Sequence, residues 1–124
     1  MEKQLSPFAQ KVIATVQKIP KGKVASYKQI AELCGKPHAS RGVAWILNSC
    51  AKKYGLPWQR VLSSRGRISF KSGTRNFLLQ KTRLRAEGVQ FGSNDDIDMA
   101  RFQWKKRVRR HPRRRTQPRL FGDL

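Results

Sequence analysis

The sequence has little of what most enzyme sites are built from. Its 124 residues include two cysteines, two histidines and only seven acidic side chains. Cys34 and Cys50, with only His38 and His111 for company, form neither a zinc ligand set nor a disulfide framework. No metal and no cofactor is expected. No apolar run reaches the roughly 18 residues that a membrane-spanning helix needs. No basic-then-apolar leader stands ahead of the first helical pattern, and no internal repeat is visible. The expectation is a soluble monomer of a reducing compartment, cytoplasmic and nucleoid-associated in a bacterium or nuclear in a eukaryote.

Against the seven acids stand 28 lysines and arginines, for a formal net charge of +21. Self-repulsion of that size opposes compaction and a polyanion relieves it, so nucleic acid is the first partner to consider. Residues 101–124 carry ten of the basic groups and one acid, with Arg113, Arg114 and Arg115 in a row between Pro112 and Pro118. Such a stretch cannot bury enough apolar surface to fold alone. The expected organisation is one domain over residues 1–104, with a single modest core, and a flexible basic tail over 105–124. The tail either tracks phosphates, with a log–log salt slope of about −0.9 per phosphate neutralised, or is a solvated linker.

Within the domain the punctuation is clear. Ser6-Pro7 opens a helix whose Phe8, Val12, Val16 and Ile19 share a face, and Pro20-Lys21-Gly22 closes it. Val24-Ala25 is a short extended link. Ser26, with Gln29 three residues on, starts a second helix of about two turns that Gly35 ends. A third helix begins near His38 or Ala39 and runs through Arg41, Val43 and Leu47 toward Cys50. Two helices joined by a short glycine-containing turn predict a helix-turn-helix.

The third helix opens with small residues, Ala39, Ser40, Gly42 and Ala44, around the single long side chain of Arg41. Gly42 inside a helix costs about 1 kcal/mol relative to alanine. Either that bare face packs tightly on the second helix, or it lies close against DNA with Arg41 projecting. Beyond it, Arg60–Leu62 and Arg67–Phe70 flank the turn Ser63-Ser64-Arg65-Gly66, which predicts a β-hairpin of the size of a wing. Gly73-Thr74 opens a further helix that ends at Glu87-Gly88. The fold class expected is mainly α, a winged-helix-like helix-turn-helix domain with a small β-hairpin.

Residues 56–61, Leu-Pro-Trp-Gln-Arg-Val, do not fit a simple helical pattern. Trp58 is either a core anchor or a flat apolar wall, and Arg60 either a solvated charge or a partner. Taken with Ser26-Tyr27, Ser40-Arg41-Gly42-Val43, Ser63-Ser64-Arg65-Gly66, Ser72-Gly73 and Ala86-Glu87-Gly88-Val89, this stretch resembles a known family. Residues 7–104 are similar to the C-terminal DNA-binding domain of the O6-alkylguanine-DNA alkyltransferases. Those enzymes carry Pro-Cys-His-Arg-Val where this chain has Pro57-Trp58-Gln59-Arg60-Val61. A tryptophan in the cysteine position marks the alkyltransferase-like proteins, which bind alkylated guanine without repairing it.

The resemblance implies roles. Arg41 enters the base stack as a finger, and Tyr27 helps to turn the nucleotide outward. Ala39, Ser40, Gly42 and Ala44 fit the helix into a minor groove about 6 Å wide. The lesion pocket is expected from Tyr27, Pro57, Trp58, the backbone of Val61, Lys71 and Ser72, with the Trp58 and Val61 carbonyls facing the guanine amino group. A longer loop over residues 48–56 should enlarge it. Glu87 matches the acid of the enzymes' Cys-His-Glu relay and is expected to keep a structural task. Transfer to sulfur needs a thiolate activated by a base, and neither Trp58 nor Gln59 supplies one. Cys34 and Cys50 are expected as buried small apolar residues.

The function so implied is recognition of O6-alkylguanine in duplex DNA by nucleotide flipping, as a mark for nucleotide excision repair. An active methyltransferase using another cysteine and a sequence-specific winged-helix transcription factor are the alternatives. In the tail, Gln117, Leu120 and Phe121 resemble a peptide by which bacterial repair proteins dock on the replication sliding clamp.

Overall fold

A computed structural model of the chain describes residues 5–105. Apart from Lys105, the basic tail and its Gln117, Leu120 and Phe121 lie outside the described residues. The first helix, α1 (Pro7–Gln17), starts where the capping chemistry places it, with Ser6 Oγ accepting the Ala9 N–H at 3.1 Å. Ser26 Oγ likewise accepts the Gln29 N–H at 2.9 Å to open α2 (Tyr27–Leu33). Each such cap is worth about 1 kcal/mol, because it satisfies a donor that has no partner inside the helix. Gly35, at φ +85°, ends α2 in the left-handed conformation that favours glycine. The chain then turns into α3 (Ser40–Tyr54). Val12 and Val16 of α1, Ile30 and Ala31 of α2 and Val43 of α3 are wholly buried against one another.

A second, smaller core holds Val24, Leu62, Leu84, Val89, Ile97 and Phe102. It gathers α4 (Arg75–Ala86), α5 (Met99–Phe102) and the segments around them. The two cores meet at a sheet of two short strands, β1 (Ala25–Ser26) and β2 (Val61–Leu62), paired in parallel with Ala25 opposite Val61. Successive strand residues face opposite sides. Ala25 and Val61 therefore enter the helical core, while Val24 and Leu62 enter the other. The far edge of Val24 is closed by the last segment, whose Trp104 N–H donates to the Val24 carbonyl at 2.6 Å. Gln29 reaches across from α2 and donates to the Trp104 carbonyl at 2.8 Å, which fastens that segment to the helix-turn-helix.

The mainly helical class holds, with α2 and α3 as the helix-turn-helix, but three local expectations change. Residues 60–70 do not form a hairpin: Val61–Leu62 is a strand, yet its partner is β1. The turn is present, since the Ser63 N–H donates to the Arg67 carbonyl at 2.9 Å, but Arg67 then bridges to Asp96. The Val61 carbonyl that a hairpin partner would use already accepts from Gln80 Nε2 at 3.0 Å. Next, α3 runs a full turn beyond Cys50 and stops at Gly55, at φ +60°. Residues 48–54 are consequently helix, so the enlarged loop expected over 48–56 does not exist. Finally, Cys34 is buried as expected, whereas Cys50 is only half-buried on α3.

Gly66 is the tightest point of the second core's rim. At φ +80° it lies against the 96–97 segment, whose Ile97 N–H donates to the Gly66 carbonyl at 2.8 Å, and a Cβ there would overlap the Ile97 carbonyl. Gly66→Ala therefore combines left-handed strain with a backbone clash, an expected loss of about 1–3 kcal/mol in urea denaturation. An unchanged midpoint would show that the 63–67 turn and the 96–97 segment are not packed as described.

Candidate nucleic-acid interface

The motif Leu56-Pro57-Trp58-Gln59-Arg60-Val61 begins as a tight turn. Pro57 sits at φ −76° and ψ +64°, and the Trp58 N–H donates to the Leu56 carbonyl at 2.8 Å. That is the inverse γ-turn, whose central torsion a proline ring already holds. Trp58–Arg60 then form a single 3-10 turn that leads into β2. Behind it, the fully buried Gln80 of α4 donates from Nε2 to the carbonyls of Gln59 and Val61, each at 3.0 Å.

Arg60 is not a solvated charge. Its Nε lies 3.0 Å from Glu87 Oε1 and its Nη2 3.0 Å from Oε2, while Nη1 donates to the Ile19 carbonyl at 2.9 Å. Glu87 also accepts from Gln59 Nε2 at 2.9 Å and from the Gly22 N–H at 3.2 Å. Glu87, just past α4, thus holds the Trp58–Arg60 turn and the loop after α1 together, which is the structural task expected of it. Burial alone would push its carboxyl pKa up. The hydrogen bonds from Arg60, Gln59 and Gly22, with the Arg60 charge, outweigh that and hold it below the ordinary value.

With the turn so fixed, the Trp58 ring stands half-buried at the wall of an open-sided cavity of about 970 Å³. The Trp58 and Phe70 ring centres lie 6.2 Å apart at 86°, an edge-to-face contact, and the Arg83 guanidinium lies 5.4 Å from the indole ring centre. Tyr27 and Arg41 line the same cavity, so the structure brings together three residues that the sequence singled out. One face of α3 supplies a whole side of it through Arg41, Trp45, Asn48 and Lys52, at spacings of four, three and four residues. Ser69, Phe70, Asn76, Leu79 and Arg83 supply further wall. Its charged lining residues are all cationic.

The other expected pocket residues are placed differently. Pro57 shapes the turn but does not line the cavity. The Val61 side chain is in the core, and the Val61 and Trp58 carbonyls each already accept a hydrogen bond, from Gln80 and from the Val61 N–H respectively. Each keeps at most one lone pair for a ligand. Lys71 and Ser72 stand in the exposed turn ahead of α4, where the Lys71 carbonyl accepts the Thr74 hydroxyl at 2.7 Å, and neither lines the cavity. Ala39, Ser40 and Gly42 lie at the N-terminal end of α3, outside it. A Cβ on Gly42 would come no nearer than 3.5 Å to Phe8, an ordinary contact, so internal packing does not require glycine there.

Trp45, Asn48, Lys52, Phe70, Leu79 and Arg83 were not anticipated. The α3 members follow from Arg41 at helical spacing, and only Lys52 lies beyond the helix end expected at Cys50. Cys34 does not line the cavity. Burial raises its pKa, against the lowering effects of the Thr15 hydroxyl at 3.6 Å and the Lys11 charge. Among the described residues no group of three His, Cys, Asp or Glu side chains could hold a metal ion, and no helix is long and apolar enough to cross a membrane.

A helix-turn-helix beside a cationic, aromatic-lined cavity defines a class of DNA-binding domain. Residues 7–89 match the family model described as the 6-O-methylguanine DNA methyltransferase DNA-binding domain, and the chain belongs to that family. It is 35% identical over 101 residues to a DNA base-flipping protein of Vibrio parahaemolyticus, covering 82% of this chain and 99% of that one. It is also similar to the solved structure of Schizosaccharomyces pombe Atl1 in complex with damaged DNA containing O6-carboxymethylguanine. The TM-score is 0.72 at 32% identity, over 84% of this chain and 100% of that one. A methylated-DNA–protein-cysteine methyltransferase of Saccharolobus islandicus is 34% identical over 84 residues, which span 52% of that protein.

Because Glu87 is 8% and Arg60 17% exposed at the side chain, Glu87→Ala leaves a guanidinium nearly buried without its counter-charge. The expected loss is about 3–5 kcal/mol in chemical denaturation. The pH dependence follows from the lowered carboxyl pKa. The stability it contributes is present above the ordinary glutamate value of about 4.3 and is lost as pH falls through the lower folded value. Melting temperature should therefore drop more steeply below that pH in the wild type than in Glu87→Gln. Parallel acid profiles would remove the network from the account.

Proposed function

We propose that this chain recognises O6-alkylguanine in duplex DNA by turning the nucleotide out into the cavity, and that it transfers nothing. The observation that carries the proposal is an indole, Trp58, at the wall of a cavity rimmed by Tyr27 and Arg41. The names of the relatives, a base-flipping protein and a complex with damaged DNA, support it. A base inside the helix is hidden, and extruding it costs a few kcal/mol, less when alkylation has weakened its pairing. Arg41 is exposed one residue into α3, placed to fill the vacated stack, while the small Ala39, Ser40 and Gly42 let the helix end approach the minor groove. Tyr27, at the start of α2, lines the same cavity and would steer the nucleotide.

Loss of the reaction follows from chemistry. Trp58 occupies the position that the resemblance gives to the reactive cysteine, and an indole carbon or N–H is no nucleophile toward an alkyl ether. Cys34 is buried with a raised pKa, which opposes thiolate formation, and Cys50 does not line the cavity. A complex that cannot turn over must persist to matter, so its role is to mark the lesion for nucleotide excision repair. A winged-helix transcription factor is the weaker reading, because reading base sequence gives a cavity of this size no task.

Incubating excess protein with duplex carrying methyl-labelled O6-methylguanine should leave all label on DNA, while competition at fixed salt favours the alkylated over the plain duplex. Stoichiometric label on protein would establish an alkyltransferase, and equal affinity for both duplexes would end the lesion reading. The Gln117, Leu120 and Phe121 peptide is proposed as a sliding-clamp contact that would bring the protein to replication sites. Deleting residues 117–121 should abolish clamp pull-down, and unchanged retention would remove that partner.

A further inference from the structure

Trp45 is exposed to 70%, more than any other large apolar side chain among the described residues. The fold does not call for it: α3 packs inward through Val43, Ile46 and Leu47, which are at most 6% exposed. An indole left in water forfeits a large burial energy, and an exposed apolar cluster rimmed by polar residues marks a binding surface. Trp45 has such neighbours. It lies one helical turn from Arg41 and lines the cavity to which Trp58, Phe70 and the 39%-exposed Leu79 also contribute. Trp45 belongs to the α3 side, and Trp58 and Phe70 to the facing segments. A volume of about 970 Å³ is at the upper end of the range of roughly 300–1,000 Å³ for small-molecule sites, more than a methyl group requires.

We propose that Trp45 is a second aromatic wall of the lesion cavity, and that it selects O6 substituents bearing a flat apolar ring over the methyl group. This rests on the lesion-binding function above and names the substituent class which that site prefers. The ring of a benzyl substituent, held beside the extruded base, would cover the Trp45 face that solvent now meets. A methyl group is too short to displace that water. Lys52, on the same stripe, then serves a phosphate while Arg41 fills the vacated stack, and neither carries information about the substituent.

The test uses three duplexes alike except at one position: guanine, O6-methylguanine or O6-benzylguanine. Affinities are measured by competition at fixed salt for wild type, Trp45→Ala and Trp45→Phe, with melting temperatures as the folding control. Because the side chain is exposed, both variants should melt like the wild type. Wild type should prefer benzyl to methyl, Trp45→Ala should lose about five-fold or more of that preference, and Trp45→Phe should restore most of it. Binding of the methyl and plain duplexes should fall by less than that of the benzyl duplex. An unchanged benzyl-to-methyl ratio in Trp45→Ala, or an equal loss on all three duplexes, overturns the inference. Wild type that fails to prefer either alkylated duplex over plain DNA instead overturns the lesion-binding function itself.

Discussion

The carboxylate of Glu87 is where three separate stretches of chain meet: the loop after α1 at Gly22, the turn at Gln59 and Arg60, and the end of α4. Few sites in a chain of net charge +21 offer a carboxylate to a guanidinium, and this pairing is two-pronged and nearly buried. An ion pair so placed stabilises through its geometry and through the backbone donors that complete it, since desolvation alone would oppose it. The consequence for the site is positional. Arg60 cannot move without breaking bonds to Glu87 and to the Ile19 carbonyl, so Trp58, two residues before it, is held at the cavity wall. Glu87 serves as a fastener.

The same economy appears in the seam between the two cores. Three strand residues, Ala25, Val61 and Leu62, with Val24 beside them, send side chains into opposite cores, so the helix-turn-helix and the α4–α5 half cannot shift independently. The cavity depends on both halves, because α3 contributes one side and the Phe70–Arg83 stretch another. Its character follows from what each half presents: cations and an indole from α3, aromatic and apolar groups with one guanidinium from the other. Such a surface suits a nucleotide, whose phosphate is anionic and whose base is flat.

What could be read in advance was what chemistry marks locally. Ser6, Ser26 and Thr74 are helix caps because their hydroxyls answer free N–H groups, and each caps as its position suggested. Tyr27, Arg41 and Trp58 were singled out through the motif order, and the fold brings them to one cavity. The end of α3 was not legible, because its apolar period fades where Asn48 and Lys52 face the cavity, and only Gly55 supplies a stop. A two-residue parallel strand pair joining residues 25–26 to 61–62 leaves no local trace either. Along 69–72 the motif favoured Lys71 and Ser72, whereas the chain turns so that Ser69 and Phe70 meet the cavity. Side-chain direction in an irregular segment is set by contacts distant in sequence, here Trp58 against Phe70.

The claim on which the account stands is that Trp58 meets the alkylated base directly in the cavity after the nucleotide leaves the helix. A crystal structure of the chain bound to a duplex with one O6-alkylguanine examines this most directly. The account predicts the modified nucleotide outside the stack, its base in van der Waals contact with the Trp58 indole, and the Arg41 side chain in the gap. A modified guanine still paired within the duplex, or an indole without contact to it, would contradict the account.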